Sequence, residues 1–210
     1  MPRMSAPVLV EKVTVRPKLD TLWSGHPAAR VSIGWQGQMI SASMLQKDGY
    51  VEFQDIDGSA DIAALQPLLQ GQLAMPVNVH GRVALSGNLR LDAATGQPLS
   101  GTLAAGWQGA EAVLGGMKLP LGDYRLTLKS DTQANQWLWQ ADGGSGLILK
   151  ASGQMVTNGA DPAMWQVHGN VAVAAGAASA SNPELGMLLG DGMTRLQLSG
   201  QLHKLQIKRL

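Results

Sequence analysis

Apolar residues fall on every second position along most of the chain. Val31, Ile33 and Trp35 share one parity. From Val77 to Leu91, fifteen residues in all, every odd position is Val, Leu or Gly. The pattern returns in Leu99, Gly101, Leu103, Ala105 and Trp107, and in Trp137 and Trp139. Leu147, Leu149 and Ala151 continue it, then Trp165, Val167, Gly169, Val171 and Val173. Leu196, Leu198, Gly200 and Leu202 close the series before Leu205 and Ile207 change parity. Side chains alternate between the two faces of a strand, so a period of two predicts β-structure. The 77–91 stretch would span about 50 Å, long against the common length of about five or six residues. Strands of that length must twist or curl, and Gly81 and Gly87 are bending points on the apolar parity.

One stretch changes step. Met117, Leu119 and Leu121 are odd, whereas Tyr124, Leu126 and Leu128 are even, with Gly122 and Asp123 between them. This predicts a tight hairpin about Gly122-Asp123. Leu121 would pair with Tyr124, Leu119 with Leu126 and Met117 with Leu128. All six would share one face, and Lys118, Pro120, Arg125 and Thr127 the other. A loose theme, ALSGNL, PLSGTL, KASGQM and QLSGQL, sets Ser-Gly inside four alternating runs. Its irregular spacing excludes a solenoid and fits strands that each need an inward glycine, where the sheet bends or a side chain intrudes.

Two segments break the β rhythm and predict short helices. Near 61–70, Ile62, Leu65, Leu68 and Leu69 have helical spacing, Ser59 or Asp61 can cap, and Pro67 keeps the helix short. Near 183–189, Asn182 is an N-cap, Pro183 opens the helix and Gly190 ends it. AAGAASAS before it has no periodicity and reads as a connection. With no other linker, 1–210 reads as one domain. The expected fold is mainly β: a large antiparallel sheet, strongly twisted or curled.

Composition narrows the function more than it suggests one. Of 210 residues 45% are hydrophobic but only 4% aromatic, so the core must come from aliphatic side chains. Charged residues are 15% against the usual ~25%, and there are 26 Gly. Such a weakly polar surface tends to be covered by something. A net charge of +1 leaves no electrostatic footprint for nucleic acid. The closing HKLQIKRL is mildly basic and reads as a strand end rather than a lipid-headgroup contact. The absence of cysteine excludes disulfides, zinc-thiolate sites and thiol nucleophiles. No run reaches the ~18 apolar residues of a membrane helix, and MPRMSAPVLVEK lacks the apolar region of a signal peptide.

The search for catalytic, cofactor-binding and metal-ligating residues ends with none. His26, His80, His168 and His203 lack ligand spacing, and His80 and His168 fall on the polar parity of strands. DIDGSAD, Asp55 to Asp61, resembles a calcium loop only superficially. Gly58 is fourth rather than sixth, and Gln66 stands where a Glu is required. It reads as an acidic turn leading into a helix N-terminus. DGGSG lacks the Lys of a phosphate loop, and Ser145 is not centred in GxSxG, so it reads as a hairpin loop. Asp92, Asp123 and Asp142 are scattered turn residues. Trp137, Trp139 and Trp165 suit a carbohydrate platform or a lipid-groove wall, but core packing is the commoner use. The chain therefore reads as non-enzymatic.

The order of segments carries one further signal. After LQPLL come PVNVHGRVALSGNLRL, PLSGTLAAGWQGAEAVLGGMKLPLGDYRLTL, WLWQADGGSGLILKASGQM and NPELGMLLGDGMTRLQLSGQL. Over about residues 55 to 203 this series resembles the periplasmic domain of type II secretion system protein N. LDTLWSG, from Leu19 to Gly25, is similar to that family's G-T-L-W-x-G segment, with Asp20 at the glycine position. The resemblance implies a periplasmic domain whose inner-membrane anchor lies outside this chain. It implies a non-catalytic role in the protein secretion machinery, and partners among its inner-membrane platform components or the outer-membrane secretin. A weaker likeness to AsmA/TamB-like proteins implies an open half-barrel or groove-like sheet, with lipid as an alternative ligand.

Overall fold

The computed structural model describes residues 11–18, 21, 27–35, 37–64, 78–114, 117–177, 192–202 and 204–210. They form twelve strands: β1 Lys12–Lys18, β2 Ala28–Trp35, β3 Gln38–Lys47, β4 Tyr50–Asp61, β5 Asn78–Asp92 and β6 Pro98–Leu114. Then follow β7 Met117–Ser130, β8 Gln136–Gly143, β9 Leu147–Val156, β10 Gln166–Ala175, β11 Thr194–Gln201 and β12 Lys204–Arg209. All belong to one antiparallel sheet whose strand order is the sequence order. Among the described residues nothing pairs with the outer side of β1 or β12, so the sheet is open.

Register makes one face apolar from edge to edge. A single lateral row runs Val13, Ile33, Ile40, Gly58, Leu85, Ala105 and Leu126 over the first seven strands. It continues through Ala141, Ala151, Val171 and Leu196 before ending at Arg209. Because directly opposed residues point to the same side, the alternation in each strand adds to its neighbours'. The expected long strand is β5, fifteen residues.

The stretch that changes step is not a hairpin. Met117–Ser130 is one continuous strand, and the reversal before it falls between the paired residues Leu114 and Met117. What shifts the parity is a pair of β-bulges lying side by side. β6 carries an extra residue around Gly109, and β7 answers it around Gly122. Gly109 has φ +57° and Gly122 φ +102°, backbone that glycine enters at little cost. The Gly109 amide donates to Asp123 Oδ1 at 2.7 Å, tying the bulges together. A bulge and a two-residue turn each insert one step of parity, so sequence periodicity reads the same for both. The shared face is as expected: Leu119, Leu121, Tyr124, Leu126 and Leu128 lie together, opposite Lys118, Pro120, Arg125 and Thr127.

The sheet bends toward its apolar face between β5 and β10. Gln97, in the β5–β6 turn, donates from Nε2 to Asn135 Oδ1 at 2.8 Å and to the Thr157 carbonyl at 3.2 Å. Thr157 follows β9, which a flat sheet would hold about 14 Å from β6. Thr157 is fully buried there, and its amide donates to the Asn135 carbonyl at 2.9 Å. The bend encloses the core: Trp137, Met155 and Val167, with Leu89, Leu128, Trp139, Trp165 and Leu198 against them. Burying each large apolar side chain contributes about 1.5–3 kcal/mol. Inward glycines make room, since Cζ2 of Trp139 fills the space over Gly153 and Gly169.

Of the two expected helices, only the start of the first falls among the described residues. Asp61 ends β4 and residues 62–64 are helical, whereas 65–70, like the whole of 183–189, lie outside the described residues. A 3-10 turn, Pro162–Met164, is the helical element the periodicity did not predict. Three residues are too few to show a period. Asp161 caps it, accepting from the Ala163 amide at 2.9 Å.

Candidate functional site

The two edge strands are built alike. β1 reads KVTVRPK and β12 reads KLQIKR, all but one of their residues exposed. In β1, Val13 and Val15 lie on the apolar face, while Lys12, Arg16 and Lys18 lie on the opposite one. In β12, Leu205 and Ile207 lie on the apolar face, Lys204 and Lys208 on the other. Val13 is 59% and Ile207 67% exposed, so the apolar face is uncovered at both margins. Pro17 removes one backbone donor from β1, and Thr21 Oγ1 donates to the Lys18 carbonyl at 2.6 Å, closing that strand's end. β12 has no proline.

Inboard, the apolar face holds a recess of about 390 Å³ lined by Val83, Ala105, Trp107, Tyr124, Leu126 and Leu149 among others. Trp107 and Tyr124 meet at a ring separation of 5.7 Å, and both are pinned by their polar ends. Trp107 Nε1 donates to the His80 carbonyl at 3.1 Å, and the Tyr124 hydroxyl to the Leu147 carbonyl at 2.7 Å. Burial raises the Tyr124 phenol pKa above its ordinary value. Apart from Tyr124 and Arg125, apolar residues and Gly106 line the recess.

On the polar face a hollow of about 740 Å³ contains Glu52, Asp55, Ser86, Asn88 and Arg90. Glu52 is 8% exposed. Arg90 donates to Oε1 at 3.2 Å, and Lys47 Nζ lies 3.4 Å from Oε2, an ion pair whose angle falls short of a hydrogen bond. Burial pushes this carboxyl up, but hydrogen bonds from Gln54 and Arg90, the Arg90 charge and Lys47 outweigh it and hold the pKa low. Lys47 and Arg90 also lie over the Tyr50 ring, at 5.8 and 5.3 Å. The two ion pairs tie the β3–β4 turn to β5.

Several of the residues weighed for chemistry have structural tasks. His80 and His168 are exposed in β5 and β10 on the polar face, and His26 and His203 lie outside the described residues. Asp55 to Asp61 is not an acidic turn. It is the second half of β4, kinked by a bulge at Asp55, φ +49°, with Gly58 packed beneath Ile40. Its alternation is hidden because Asp stands at polar positions and Gly at an inward one. Asp92 caps the β5–β6 turn through the Thr95 and Ala94 amides. Hydrogen bonds from Thr95 lower its pKa. Asp123 braces the paired bulges, and Asp142 stands opposite Arg125 and Lys150. Ser145 lies in the β8–β9 hairpin loop, as expected. Trp137, Trp139 and Trp165 form core rather than a platform, with Trp165 Nε1 donating to the Gly159 carbonyl at 3.0 Å.

Among the strands the sequence reading missed is β1, a clean alternation interrupted by Pro17, and with it the likeness of the two edges. Among the described residues no helix is long and apolar enough to cross a membrane, and no three His, Asp or Glu converge to hold a metal ion. No family model, no curated protein and no solved structure matches this chain.

Proposed function

We propose that this chain is a non-catalytic docking domain, the periplasmic part of an inner-membrane-anchored component of the type II protein secretion machinery. The observation that carries the docking reading is the open twelve-stranded sheet, whose marginal strands β1 and β12 have no partner on their outer side among the described residues. Such edges present free backbone donors and acceptors that a partner strand can pair with. The secretion assignment rests on the order of segments between LQPLL and LQLSGQL, which resembles protein N of that machinery. Partners would be its inner-membrane platform components or the outer-membrane secretin. In this reading the bend between β5 and β10 extends into an open, groove-like half-barrel.

The test is affinity capture of the membrane-anchored protein from gently solubilised envelopes, with proteins and lipids both identified by mass spectrometry. Near-stoichiometric recovery of secretion components is expected, and its loss when Val15 or Ile207 is replaced by proline, with the fold retained. Unchanged recovery from both variants would overturn edge docking. A second reading is favoured by the apolar recess at Leu126: an acyl chain lies along that face. It requires phospholipid to co-purify, and Leu126→Lys to strip it.

A further inference from the structure

We infer that β12 is the docking strand, and that its partner presents an extended segment alternating carboxylate and aliphatic side chains. This rests on the docking reading above and names the edge and the partner's chemistry.

Three observations converge on β12. The first is backbone access: β1 lacks the donor that Pro17 removes, whereas all six residues of β12 are exposed and none is proline. The second is the charge beside it. Lys204 and Lys208 share the polar face with Arg195 of β11, whose carbonyl accepts from the Leu210 amide at 3.0 Å, and Arg209 ends the apolar row. The third is the missing counter-charge. None of the strands β9–β12 contains an Asp or Glu. Among the described residues no ion pair forms in them either. Lys150 of β9 stands opposite Asp142, but among the described strands Lys204 and Lys208 have no carboxylate across from them.

The same charges argue against a second copy of this chain as occupant. Joining β12 to the β1 of another molecule sets Lys204 and Lys208 against Lys12, Arg16 and Lys18, and joining β12 to β12 is no better. Like charges directly across a ladder are destabilising. A strand with carboxylates on the polar side meets Lys204 and Lys208, and its aliphatic side chains cover Leu205 and Ile207, 41% and 67% exposed.

The experiment uses the 210-residue chain and dye-labelled short peptides alternating valine with glutamate or with lysine, followed by fluorescence anisotropy. The glutamate peptide is expected to bind and the lysine peptide not to. Combining Lys204→Glu with Lys208→Glu should weaken the glutamate peptide about tenfold or more and admit the lysine peptide. N-methylation of the glutamate peptide along its pairing edge should abolish binding. An unchanged urea midpoint shows that the charge variant is folded. Glutamate-peptide binding that survives the charge reversal, or N-methylation, overturns the inference. So does the absence of binding by either peptide. Loss on Val15→Pro instead moves docking to β1 and leaves the docking reading standing. The docking reading itself fails if envelope capture recovers no partner from the unsubstituted protein, or recovers it undiminished from both proline variants.

Discussion

Trp139 occupies the space that two glycines leave open. A Cβ on Gly169 would fall 2.2 Å from Trp139 Cζ2 and 2.5 Å from the Ser152 carbonyl oxygen. The indole is held by Trp137, Met155 and Val167, and the carbonyl belongs to the backbone, so neither can retreat cheaply. Gly169→Ala should therefore cost about 1–3 kcal/mol by overpacking, read as a lower urea midpoint. Gly192→Ala, which meets nothing within 4 Å, is the control and should stay within about 0.5 kcal/mol. Equal midpoints for the two variants would mean that Trp139 is free to move.

At the scale of elements, the paired bulges of β6 and β7 let two long strands turn without losing their shared register. The Asp123 side chain spans them. Asp123→Ala should cost about 1 kcal/mol and speed hydrogen exchange at the Gly109 amide while leaving the β7–β8 ladder protected. Uniform exchange across both ladders would show that the brace is dispensable. These bulges also mark where sequence periodicity stops being informative. Alternation made β5, β6 and β8–β12 legible, because their inward positions are almost all aliphatic, Trp or Gly. It misplaced the turn at Gly122, since parity counts steps and does not report chain direction. It missed β3, whose Ser41, Ala42 and Ser43 blur inside and outside, and β4, whose carboxylates looked like a turn. The edges could not be recognised as edges until all twelve strands were ordered.

Acid stability is a property of the whole molecule, and Glu52 is placed to shape it. Its carboxyl titrates lower in the folded chain than in the unfolded one. Its contribution is thus fully present above the ordinary value of 4.5, and is lost as the pH falls through the lower folded-state value. The urea midpoint should drop between about pH 6 and about pH 3, and Glu52→Gln should narrow that drop until the two chains agree at the acid end. Parallel curves for the two would assign the acid loss to other carboxylates.

The strand order has a mechanical consequence. Each strand touches mainly its immediate predecessor and successor, as repeats do in an array where neighbours alone supply the stability. The core around Trp137 and the Gln97 bridge from the β5–β6 turn to Asn135 and Thr157 are exceptions, and they gather the middle strands into one cooperative block. Tension applied to the two ends of the chain would load one backbone hydrogen bond at a time. The flanks would peel away like a zip, β12 and β1 first, and the force would rise only when the peeling front reached that block.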